Sequence, residues 1–137
     1  MERQRVETLA RRFISALQNL EDGGAGEAEV IAALFADDAR LSNAALQLPG
    51  EEPRGRTSVR DFWRAYRRAF DEVRSEFHHV MANDRAAGLF WTSSGTYRGG
   101  TPFVYDGVTL LEFDDSGKIV RLQGYFDTRQ LSREAGA

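Results

Sequence analysis

The side chain best suited to chemistry is Asp127, which ends an apolar run between Phe126 and Leu131. A carboxyl in poorly solvated surroundings is raised in pKa by loss of hydration, and that suits it to general acid/base work. The same position also suits an ordinary strand-end Asp that caps the next turn or pairs with Arg129. Asn43 has the groups to hold a water or a substrate oxygen, and equally to bond its own backbone in a loop. His78 and His79 are the two histidines of the chain. Strand alternation sends them to opposite faces, so at most one shares an interior with Asp127 and relays a proton. No second His at ligand spacing and no acidic cluster accompanies them, so no metal site is expected.

Aromatic and hydroxyl side chains supply a candidate binding wall. Trp63, Trp91, Tyr97, Tyr105 and Phe126 suit the apolar lining of a small-molecule pocket, although Phe126, like Tyr66, also reads as plain core. Ser94, Thr96 and Thr109 place hydroxyls on otherwise apolar strands, where a ligand or water would satisfy them. Asp106 offers a second acid, but a β-bulge at Gly107 explains it more simply. The glycines from Gly23 to Gly26 are no phosphate loop, because no strand precedes them and no Lys-Ser/Thr follows.

The elements that must position these residues fall into two groups. Val6, Leu9, Phe13, Leu17 and Leu20 recur at helical steps over residues 2–20, and Glu21 to Gly26 stop the helix. A shorter helix is expected from Glu27 to Phe35, a turn at Ala36 to Asp38, and a short strand from Ala39 to Asn43. A two-proline loop reaches Arg56. Thr57 or Ser58 then caps a helix ending near Val73, with Val59, Phe62, Trp63, Tyr66, Phe70 and Val73 on its apolar stripe. Four β-rich stretches follow, Ser75 to Ala82, Ala87 to Arg98, Phe103 to Phe113 and Lys118 to Asp127. The connections between them are too short for crossovers, so antiparallel pairing is expected. Helices first and a meander after define an α+β domain spanning residues 1–137.

Composition narrows the function. The 137 residues carry a net charge of −3, without the basic surplus of a nucleic-acid binder. There is no Cys, which excludes disulfides and thiolate metal sites. No apolar run suits a membrane span, and the N-terminal residues lack a signal-peptide core, so a cytoplasmic location is expected.

Two stretches, Trp91 to Gly99 (WTSSGTYRG) and Gly117 to Leu131 (GKIVRLQGYFDTRQL), resemble the SnoaL-like branch of the nuclear-transport-factor-2-like superfamily. The order of elements is similar too, including the segment from Leu34 to Ala39 and Gly55-Arg56 before the third helix. The resemblance implies a cone-shaped, curved antiparallel sheet wrapped around the N-terminal helices, an internal cavity, and a homodimer. It does not by itself specify a reaction.

Three branches can be compared by position. The ketosteroid isomerase donor, base and acid correspond to Phe13, Asn43 and Thr109, which cannot perform those roles. Limonene-epoxide hydrolase shares Asp127 and its water-holding Asn43, but Leu41 replaces its Tyr, and Ser94-Gly95-Thr96 replaces its Arg-x-Asp. The polyketide cyclases use one Asp near the end of the last strand, which corresponds to Asp127. The resemblance therefore implies a cofactor-free acid/base enzyme acting on a small apolar oxygenated molecule by cyclase, isomerase or hydration chemistry. A non-catalytic ligand-binding or dimerisation module on the same fold is the alternative.

Overall fold

The computed structural model of the chain describes residues 1–43 and 54–126. Helix α1 (Arg3–Gly23) buries Val6, Leu9, Phe13, Leu17 and Leu20 on one side, as their spacing requires. It ends where Gly24 takes a φ of 92° and returns its N–H to the Leu20 carbonyl at 3.0 Å. A 3₁₀ turn (Ala25–Glu27) leads into α2 (Ala28–Ala32).

The helix expected up to Phe35 stops at Ala32, and buried Phe35 instead opens strand β1 (Phe35–Asn43). The turn expected at Ala36 to Asp38 lies inside this strand. Pairing steps from Phe35↔Ile119 to Arg40↔Arg121, so β1 has more residues here than its partner. The surplus leaves Asp37 and Asp38 exposed, and Asp37 meets Arg56 at 2.9 Å.

Helix α3 (Arg56–Arg68) starts from Gly55, at a φ of 89°, with no side-chain cap from Thr57 or Ser58. It ends five residues before Val73, and Phe70 opens strand β2 (Phe70–Ala82). The three-residue spacing of Phe70 and Val73 imitates a helix for a reason. A register shift between Phe70 and Glu72 inserts a residue, so both side chains face inward from a strand.

Strands β3 (Ala86–Tyr97), β4 (Pro102–Phe113) and β5 (Ile119–Phe126) complete a sheet of order β1-β5-β4-β3-β2. The pairs from β2 to β5 form an antiparallel meander, while β1 joins β5 in parallel, so the curved, unclosed sheet is mixed. Gly95 is required where β3 passes β2: at its φ of 151° a Cβ would strike the Glu72 carbonyl.

One apolar cluster joins the helices to the sheet through Phe13, Leu20, Ile31, Phe35, Leu41, Leu89, Leu111 and Ile119, each fully buried. Burial of each large side chain contributes about 2–3 kcal/mol relative to exposure. A second cluster, Phe70, Val73, Phe103 and Tyr105, packs at the far end of the sheet. No helix among the described residues is long and apolar enough to cross a membrane.

Candidate ligand cavity

A cavity of about 170 Å³ lies between α1, α3 and the inner face of the sheet. Helix α1 contributes Phe13 and Leu17, and α3 contributes Trp63 and Tyr66. Alternation fixes the sheet side: Ser75 and Phe77 from β2, Trp91, Ser93 and Tyr97 from β3, Tyr105 and Thr109 from β4, and Leu122, Gly124 and Phe126 from β5. The wall is aromatic with a few hydroxyls, the usual composition of a small-molecule site.

Among the candidates from the sequence, Trp63, Trp91, Tyr97, Tyr105, Thr109 and Phe126 thus meet around one space. Ser94 and Thr96 do not. They alternate out of phase with Trp91 and Tyr97, and Ser94 joins Arg74, Glu76 and Thr92 on the opposite face. Ser93 is the hydroxyl of that run that lines the cavity, and it is 3% exposed.

Neither His78 nor His79 lines the cavity, and the expected opposite facing fails. A register shift between Phe77 and His79 leaves His78 as the extra residue, and both rings border an open groove on the outer sheet face. There Thr92 Oγ1 donates to Asp106 Oδ1 at 2.6 Å, leaving His78 Nε2 to donate to Thr92 at 2.8 Å. The ring of His79 meets Phe90 edge-on. Asn43 ends β1, its backbone paired with Gly124 of the cavity wall, and its side chain lies outside the described residues. Asp127 lies outside them too, next in the chain to Phe126.

Gly107 is not a bulge, since pairing runs through it without a shift. Its missing side chain makes room for Trp91, whose six-membered ring a Cβ would strike. The indole Nε1–H donates to Thr109 Oγ1 at 2.9 Å, which fixes the ring in the cavity wall. Gly107→Ala is expected to expel Trp91 from this seat. Stability should fall by about 1–3 kcal/mol in denaturant unfolding, and tryptophan emission should shift to longer wavelength.

The sequence reading missed a carboxyl. Glu21 is 3% exposed on the apolar stripe of α1, four residues beyond Leu17. Its Oε1 accepts the Ser75 backbone N–H at 2.9 Å. Its Oε2 accepts the Ser75 hydroxyl at 2.6 Å and the Tyr66 hydroxyl at 2.7 Å. Ser75 Oγ lies 2.6 Å from Ser93 Oγ. Glu21 has no ion-pair partner among the described residues. Burial raises the Glu21 pKa above its ordinary value, against the lowering effect of the hydrogen bonds from Ser75 and Tyr66. Burial also pushes Tyr66 far above the usual phenol value, with the neighbouring Glu21 charge adding to the effect, and Tyr105 rises for the same first reason. Continuation of the helical stripe to position 21 was the available signal, but Glu21 was read as part of the stop.

Trp63 presents the opposite situation. It is 5% exposed in the cavity wall, and its Nε1–H has no hydrogen-bond partner among the described residues. Among the described residues, no three His, Asp or Glu side chains converge as metal ligands.

Helices packed into a curved, unclosed sheet, with an aromatic hollow between them, define an α+β cavity protein. The SnoaL-like domain family matches residues 10–122, and the chain belongs to that family. None of the curated proteins matches the chain.

Three solved structures are similar in fold. An NTF2-like protein of unknown function from Exiguobacterium sp. 255-15 has a TM-score of 0.72 at 19% identity, over 87% of this chain and 98% of that one. SalBIII, an epoxide hydrolase/cyclase-like enzyme in pyran ring formation in the polyether salinomycin, has 0.71 at 17%, over 93% of each chain. An LEH-like epoxide hydrolase from M. tuberculosis has 0.73 at 19%, over 96% of this chain and 90% of that one.

Proposed function

We propose that the protein binds a small apolar molecule carrying one or more oxygens and performs cofactor-free acid/base chemistry on it, of the cyclase, isomerase or hydration type. The observation that carries this reading is the cavity itself: an aromatic hollow in whose wall the hydroxyls of Tyr66 and Ser75 bind one buried carboxyl, with the Ser93 hydroxyl joined to that of Ser75. An apolar cavity of ~150 Å³ holds a benzene ring, so about 170 Å³ suits one ring with small substituents. The indole N–H of Trp63, unpartnered among the described residues, is a donor for a ligand oxygen. Epoxide hydrolase and cyclase activity in fold relatives agrees with this chemistry.

Asp127 is the proposed acid/base, because it follows Phe126 of the cavity wall and corresponds to the Asp of the polyketide cyclases. Asn43 is proposed to orient a water or a substrate oxygen. The outer sheet face, where Val104 and Tyr125 are more than half exposed, is proposed as the homodimer contact, and a cytoplasmic location is proposed with it.

A panel of cyclic epoxides and cyclic ketones tests the reading. Turnover is expected, with Asp127→Asn lowering kcat by about 10²-fold or more and leaving thermal unfolding unchanged. An undiminished rate in that variant removes Asp127 from the mechanism. Tight binding without turnover assigns the protein to the ligand carriers instead.

A further inference from the structure

Glu21 is an unusual group to bury. It sits on the apolar side of α1, and its hydrogen bonds come from two other elements, β2 through Ser75 and α3 through Tyr66. A carboxyl needed only to tie α1 to β2 has done so with Ser75. The contacts continue past that point: Ser75 Oγ meets Ser93 Oγ at 2.6 Å, and Ser93 lines the cavity. Glu21, Ser75 and Ser93 therefore form an unbroken line of oxygens from a buried carboxyl to the ligand space. Resting on the reading of the cavity as a small-molecule site, we propose that Glu21 is its proton reservoir, exchanging a proton with an oxygen of the bound molecule through the Ser75 and Ser93 hydroxyls.

The step balances. A ligand hydroxyl passes its proton to Ser93 Oγ, the Ser93 proton moves to Ser75 Oγ, and the Ser75 proton moves to Glu21 Oε2. Glu21 ends as the neutral acid and the ligand oxygen as the anion; the reverse sequence protonates an oxyanion or a carbonyl. One proton is transferred and no electrons are. Tyr66 also lines the cavity, but its high pKa keeps it a fixed donor to Glu21 rather than a link in the line. Ser93 touches the ligand, whereas Glu21 acts through the two serines and is a positioning residue in that sense.

The hydroxyl line has two directions, and the ligand selects between them. A ligand that donates to Ser93 aligns both serine protons toward an ionised Glu21 and favours the carboxylate. A ligand that can only accept turns both hydroxyls round and favours protonated Glu21. The line thus recognises the donor or acceptor character of the ligand oxygen. Other groups near Glu21 that can carry charge are Asp22 on α1, Tyr66 on α3 and Tyr105 on β4. The β2 neighbours Arg74 and Glu76 are exposed and border the opposite face. Both tyrosines stay neutral across the acid range.

The test is a carboxyl ¹³C titration of Glu-labelled protein, with the Glu21 signal assigned by its loss in Glu21→Gln. It is run with no ligand, with phenol as the donor probe and with cyclohexanone as the acceptor probe. Phenol is expected to lower the Glu21 pKa and cyclohexanone to raise it, each by roughly half to one pH unit. Ser93→Ala should abolish both responses while the probes still bind, and Ser93→Thr, which restores a hydroxyl, should restore them. A structural Glu21 would not answer donor and acceptor with opposite signs. Probe binding with an unmoved Glu21, or responses that survive Ser93→Ala, overturns the relay and leaves the cavity reading intact. Failure of both probes to bind the wild-type protein overturns the cavity reading and the relay with it.

Discussion

Trp63→Ala is expected to lower unfolding free energy by about 3–5 kcal/mol, a large part of the ~5–15 kcal/mol that holds a domain together. Trp63 is the meeting point of the aromatic core. Its ring stands edge-on to Phe13 at 5.9 Å, Phe62 at 5.0 Å and Tyr66 at 5.5 Å, and tilted toward Phe35 at 6.4 Å. Those partners belong to α1, α3 and β1, so truncation opens a void where three elements join. Trp63→Phe should cost much less, because the lost Nε1–H leaves behind no partner among the described residues. Urea unfolding of the two variants checks both statements. Equal losses would mean that Trp63 is held by its N–H and not by its packing.

The second large effect separates shape from charge at Glu21. Glu21→Ala strips the acceptor from the Ser75 backbone N–H, the Ser75 hydroxyl and the Tyr66 hydroxyl at once, and is expected to cost about 2–3 kcal/mol. Glu21→Gln should stay within about 1 kcal/mol. Its amide oxygen can face the Ser75 N–H, and its amide NH₂ can face two hydroxyls that are free to turn and accept.

The two side chains also differ in pH response. The folded state holds the Glu21 proton to a higher pH than the unfolded chain, whose carboxyl titrates near the ordinary 4.5. Between those two values the folded protein binds more protons, so the contribution of Glu21 to stability falls as pH rises from about 4.5 through the folded pKa, and is level beyond. Glu21→Gln should remove this fall from a plot of unfolding free energy against pH. An identical slope in wild type and variant would show that Glu21 is ionised in both states throughout that range.

Much of the architecture could be read from spacing alone. The three-and-four recurrence from Val6 to Leu20 marked α1, and the short turns between apolar stretches marked the antiparallel meander. The misread boundaries share one cause. At Phe35 to Arg40 a strand carries three extra residues, and at Phe70 to Glu72 and at Phe77 to His79 one, which breaks the period of two and imitates turn or helix. The parallel β1–β5 pair depends on contacts between distant segments, to which local patterning is blind.

The site was legible in its bulk and not in its polar detail. Large rings at Trp63, Trp91 and Tyr105 were recognisable as a wall because aromatics must be buried somewhere. In the run Thr92-Ser93-Ser94, however, every residue carries a hydroxyl, and only the phase set by Trp91 and Tyr97 identifies Ser93 as the inward one. Glu21 was hidden because a charged residue next to a glycine-rich stop resembles a solvated helix end. Its burial follows from hydrogen-bond partners more than fifty residues away in β2.

The most direct test uses the fact that the chain has two tryptophans, both in the cavity wall. Their indole N–H signals in a ¹⁵N-correlated spectrum, assigned with Trp63→Phe and Trp91→Phe, are followed as cyclohexanone is added. A ring seated in the hollow should move both, and Trp63 more, because its N–H has no hydrogen-bond partner among the described residues while that of Trp91 is already bonded to Thr109. If both signals stay still while backbone amides around Val104 and Tyr125 respond, the molecule meets its ligands on the outer sheet face and the interior hollow is only a packing gap.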